Sequence, residues 1–62
     1  MTMQEFFDAM VEKTIEITGW TKSSAQQSVG NFIDKVVIPF HMPITLFGAI
    51  DAAKELCKRF GY

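Results

Sequence analysis

TKSSAQQSVGNFIDKVVIP, residues 21–39, is the stretch whose reading decides the fold. Its apolar residues are Ala25, Val29, Phe32, Ile33, Val36 and Val37. Spacings of four, three, one, three and one place all six on one face of a helix. Ser23 with Gln26, and Ser24 with Gln27, fit capping-box spacing at its start. Pro39 is expected to stop it, because proline lacks a donor N–H and clashes with the turn behind it. A helix this amphipathic is not stable alone, so its apolar face must lie on the segments before and after it. Phe32 and Val36, in the middle of the stripe, are expected to be fully buried. Gly30, inside the helix, costs about 1 kcal/mol against alanine, and a close helix–helix approach is the expected reason.

Outward toward the N-terminus, Thr2 and Glu5 have capping-box spacing, so a first helix starts at Met3. Met3, Phe6, Phe7, Met10, Val11, Ile15 and Ile17 make a wide apolar stripe. Gly19 suits the position just past its end, where a positive φ is needed. The connection Gly19-Trp20-Thr21 is short, which predicts antiparallel neighbours. Outward toward the C-terminus, Phe40-His41-Met42 lies between Pro39 and Pro43 and reads as loop or turn. A third helix follows from about Thr45 to Phe60, with Leu46, Ile50, Ala53, Cys57 and Phe60 on its core face and Phe47, Ala49 and Leu56 widening the stripe. Gly61 is the stop. The expected fold is all-α: one domain over residues 1–62, with three helices at about 3–18, 23–38 and 45–60.

Composition narrows the function classes. The 62-residue chain has 48% apolar residues and six phenylalanines, yet its single cysteine, Cys57, excludes an intrachain disulfide. A chain this short buries only about 60% of its extended surface. Self-association into a homodimer is therefore expected as a source of stability, with the wide stripe of helix one as the shared face. The net charge of −1 gives no basic stripe for nucleic acid. The longest uncharged run, residues 36–50, falls short of the roughly 20 apolar residues that a membrane span requires. The acidic N-terminus lacks the basic region of a signal peptide, so a cytoplasmic location is expected.

No motif for catalysis is present. There is no P-loop, no G-x-G-x-x-G and no G-x-S-x-G. His41 and Cys57 are single residues of their type and make no metal-ligand pattern. A nucleophilic pair of the two would need an orienting group and an oxyanion hole, and neither is signalled. No enzyme activity, cofactor or metal is expected. Two surfaces remain. Phe40, His41 and Met42, with Phe47 at the start of helix three, are candidate protein-binding residues, since aromatic and methionine side chains make good anchors. Phe40 and Met42 have a competing role, folded inward as a cap on the bundle. Glu5, Asp8, Glu12 and Glu16 share the polar face of helix one, either as a solvated face or as a surface for a basic partner.

Residues 4–37 resemble the N-terminal helical hairpin of the HU/IHF family of DNA-architectural proteins. The matching features are a first helix ending at Thr18-Gly19-Trp20, then Thr21-Lys22, Ala25, Val29 and Phe32-Ile33-Asp34. That resemblance implies a dimerising hairpin. The family's basic β-arms have no counterpart, since Pro39, Pro43 and a further helix stand there. In its shortness, helical pattern and lack of catalytic motifs the chain also resembles early-region accessory proteins of lambda-like temperate bacteriophages. What this implies is a regulator or inhibitor that binds a host or phage protein. The alternative reading is a DNA-binding or transcription-regulating protein using Lys54, Lys58 and Arg59 on phosphates. A structural or assembly subunit is a third.

Overall fold

The computed structural model describes all 62 residues. Helix α1 spans Met3–Thr18, α2 Lys22–Phe32, and α3 Leu46–Arg59; a π-helical turn, Ile33–Val37, extends α2. There is no strand, so the all-α, three-helix expectation holds. The start of α1 is the predicted capping box: Thr2 Oγ1 accepts from Glu5 N–H, and Glu5 Oε1 accepts from Thr2 N–H at 2.8 Å. Gly19, at φ 74°, closes the helix by donating its N–H to the Ile15 carbonyl at 2.8 Å.

The cap of α2 differs from the expectation. Thr21, rather than Ser23 or Ser24, accepts from Ser24 N–H at 3.3 Å, and the helix starts at Lys22. Three candidate hydroxyls lie within four residues here, and Thr21, whose backbone is extended, takes the role.

The larger correction lies at the other end. Residues 33–37 form a wider turn in which Ile38 N–H donates to Ile33 O, five residues back. An α-helix would press the Pro39 ring on the carbonyl four residues behind it, and proline has no N–H to give. The wider turn before it accommodates both. The helical elements end at Val37, before Pro39 as expected, while the chain turns on through Phe40, whose N–H donates to Val36 O at 3.0 Å. Val37, not Val36, is buried, while Val36 is half-buried; Phe32 is buried as expected.

Tertiary packing centres on α1 and α3. The Thr14 hydroxyl lies against the Cys57 thiol, and Trp20 meets Phe60 and Tyr62 edge-on at 5.0 and 5.9 Å between ring centres. Both contacts pair the C-terminal halves of the two helices, so α1 and α3 run in the same sense and start at the same end. Phe6, Met10, Val11 and Thr14 face α2 and α3 from α1. The inward face of α3 is Gly48, Ala49, Ala52, Ala53, Leu56 and Cys57. This corrects the predicted stripe, since Leu46 and Phe60 point outward and Ile50 is half-buried. Alanines let the α3 backbone approach α1 closely, and the bulky side chains of Phe6 and Met10 fill the space from the opposite side. Met3, also assigned to the stripe of α1, is exposed at its first turn. Thr14 is the one buried polar residue, and its hydroxyl donates to the Met10 carbonyl at 2.8 Å.

The close approach expected at Gly30 falls instead at Gly48. Gly30 has open space where a side chain would stand, so no close approach explains it. Gly48 is the crowded position: a Cβ there would collide with the Pro43 carbonyl.

Candidate functional site

The segment between α2 and α3 is held by three local devices. Met42 N–H donates to Val37 O at 2.9 Å and His41 N–H to Ile38 O at 3.1 Å. These two bonds make a Schellman motif. The left-handed position of that motif is His41 itself, at φ 54°, the only non-glycine residue with positive φ. A left-handed conformation at a residue bearing a Cβ costs about 1 kcal/mol. Beyond it, Thr45 caps α3, accepting from Gly48 N–H at 3.0 Å, and the Gly48 backbone seats against Pro43.

This frame separates side chains that the sequence leaves together. Met42 turns inward and packs on the core, as the residue after a Schellman turn often does. Phe40 turns outward and is 72% exposed. The two alternatives for the pair thus divide, with Met42 a cap and Phe40 a surface residue. His41 is exposed. Phe47 is 80% exposed, and Ile38 and Leu46 are each more than half exposed. Periodicity assigned Leu46 to the core face of helix three and gave Ile38 no role. Their positions beside Pro39 and directly after the cap Thr45 are the signals that the inward face has ended or not yet begun. Met1 and Met3, both exposed, stand at the same end of the molecule, where α1 and α3 start.

No protein-family profile, curated protein or solved structure matches this chain. The site is accordingly read from its own geometry. Four large apolar side chains on one connection and the first turn of the following helix are displayed on a backbone fixed by two prolines and a closed turn. No acid, base or nucleophile stands among them except His41. What the arrangement can do is bury apolar area against another surface.

The remaining candidate residues are dispersed. Glu5, Asp8, Glu12 and Glu16 are all exposed on α1. Glu5 is engaged in the cap, Asp8 accepts from Gln4 Nε2 at 3.0 Å, and Glu16 pairs with Lys13 at 3.1 Å. The bonds from Thr2 hold the Glu5 carboxyl below its ordinary pKa. Cys57 is buried in the core, and burial pushes its thiol pKa up, opposite to what a nucleophile needs. His41 lies on an exposed turn, so the structure does not assemble a Cys–His pair. Of the three C-terminal cations, Arg59 lies over the Phe32 ring at 5.3 Å, leaving Lys54 and Lys58 outward on α3. No helix is long and apolar enough to cross a membrane.

Proposed function

We propose that this chain is a small, non-enzymatic protein-interaction module whose working surface is Ile38, Phe40, Leu46 and Phe47, and whose first occupant is a second copy of itself. The observation that carries the reading is exposure: these four residues are 54%, 72%, 55% and 80% exposed in a chain with only 15 buried residues. Together they present on the order of 500 Å² of largely apolar surface, taking about 200 Å² for each side chain. A standard interface buries about 800 Å² per partner, and the apolar share in homodimers is near 65%. The patch supplies that share without rearrangement. His41, displayed between the two prolines, adds one polar contact at the rim. The resemblance to phage accessory proteins supports a regulator or inhibitor acting on a further protein through the same surface.

Sedimentation equilibrium of the wild type and of the double variant Phe40→Ser, Phe47→Ser tests this. The expected result is a concentration-dependent dimer for wild type and a monomer with unchanged circular dichroism for the variant. A wild type that stays at 7.0 kDa through high micromolar concentration overturns the self-association reading.

A further inference from the structure

A second feature lies away from that surface. Between α2 with its π-turn and α3 runs a groove of about 210 Å³. Phe32 and Leu56, both buried, form its floor, and Val36 and Phe60 form its apolar walls. Lys35 from the π-turn and Arg59 from α3 stand on its two sides, and no carboxylate lines it. Neither cation is neutralised within the chain. Glu55, four residues before Arg59 on the same helix, does not reach it, and the single ion pair of the molecule is Lys13–Glu16. Arg59 is nonetheless positioned, because its guanidinium lies over the Phe32 ring.

We infer that this groove is a peptide-binding site for an acidic segment of a partner protein carrying one large apolar residue. Each part of the inference has its own physical ground. Two uncompensated cations facing one apolar trough call for an anion that also brings hydrophobic surface. The guanidinium lies over the Phe32 ring and makes no ion pair within the chain, so its N–H groups are free for a carboxylate, and the Lys35 ammonium lines the same groove. The volume selects the kind of ligand. Small-molecule sites usually run from about 300 to 1,000 Å³, so this groove holds a single anchoring side chain rather than a whole metabolite. A phenylalanine or leucine beside an aspartate or glutamate satisfies both requirements. The other groove of the molecule, between α1 and α2, makes the contrast: Asp8 and Glu12 line it with Lys22, so its charges are already mixed. Nucleic acid is the less suited anion, since the chain is net −1 and the exposed face of α1 carries Glu5, Asp8, Glu12 and Glu16.

The test uses a fluorescein-labelled peptide of aspartates and glutamates around one central phenylalanine, titrated with the full chain and read by anisotropy. Two control peptides replace the phenylalanine by alanine or the acids by their amides. Binding that weakens about tenfold with either control, and about tenfold with Arg59→Gln or Lys35→Gln, is expected. Asn31→Trp, at the groove's edge, should block it by filling the trough while circular dichroism stays unchanged. All three substitutions are at exposed positions and spare the core. Equal binding of the amide peptide, or binding unmoved by both charge variants, overturns the inference. So does a short oligothymidylate that binds more tightly than the acidic peptide and displaces it.

Discussion

The α1–α3 seam and the connection at residues 38–47 are both apolar, yet they meet opposite fates. In the seam, Phe6 and Met10 of α1 and Ala49, Ala52 and Ala53 of α3 are all fully buried in one core cluster. In the connection, Phe40 and Phe47 stand almost free of the protein. Hydrophobicity does not separate them. The seam pairs large residues on one helix with small ones on the other, so the backbones approach and the large side chains are enclosed. In the connection, a widened turn, a left-handed histidine and a new helix cap turn Met42 and Ile44 onto the core but leave Ile38, Phe40, Leu46 and Phe47 outside it. Apolar residues are buried where the backbone brings a complementary surface to them, and those left outside are available to a partner.

The sharpest way to test the contrast between enclosed and displayed apolar side chains is to truncate one buried phenylalanine of the core, Phe32 on α2, and one exposed phenylalanine of the connection. Phe32→Ala removes a buried ring and its contact with Arg59, and should cost about 3–5 kcal/mol, enough to leave a chain this small largely unfolded. Phe47→Ala should change monomer stability by less than about 0.5 kcal/mol. Urea melts of the two variants at low protein concentration decide it; similar losses would mean that Phe47 is core.

The two helical glycines give the next contrast. Gly48→Ala drives a methyl group into the Pro43 carbonyl and should destabilise by about 1–3 kcal/mol as the connection shifts. Gly30→Ala meets open space and should stabilise by about 1 kcal/mol. Thermal melts with opposite shifts support this packing, whereas a destabilised Gly30→Ala would restore the close-approach reading of that residue.

A smaller effect addresses the turn itself. His41→Gly relieves a left-handed residue and should raise stability by up to about 1 kcal/mol. Because His41 rims the proposed self-association surface, the same variant is expected to weaken the dimer in sedimentation. A gain in stability with no change in association would confine His41 to its backbone role.

The smallest effect is electrostatic. The Glu5 carboxylate accepts the Thr2 N–H, which holds its pKa below the ordinary value in the folded chain. A lowered folded pKa means that the ionised group's stabilising effect is fully present above its ordinary pKa and disappears as pH falls through the folded value. Wild type should therefore lose its advantage over Glu5→Gln on acidification from neutral pH into that range. Chemical denaturation at a series of pH values measures this, and a constant gap between the two proteins would refute it.

Sequence alone determined the elements whose causes are local. Helix α1 begins and ends where its capping box and glycine demand, because a cap is satisfied within four residues of chain. The number of helices, the short turn between the first two and the burial of Phe6, Met10, Val29 and Phe32 were legible from spacing for the same reason. Tertiary structure decided what depends on distant residues. Periodicity gave α3 a stripe through Leu46 and Phe60, but the face that meets α1 is the alanine face, because backbone proximity outweighs the size of any one side chain. It also left Val36 half-buried while Val37, on the same apolar face, is enclosed. The charged groove joins Lys35 to Arg59, 24 positions apart, and no reading along the chain brings those two residues together.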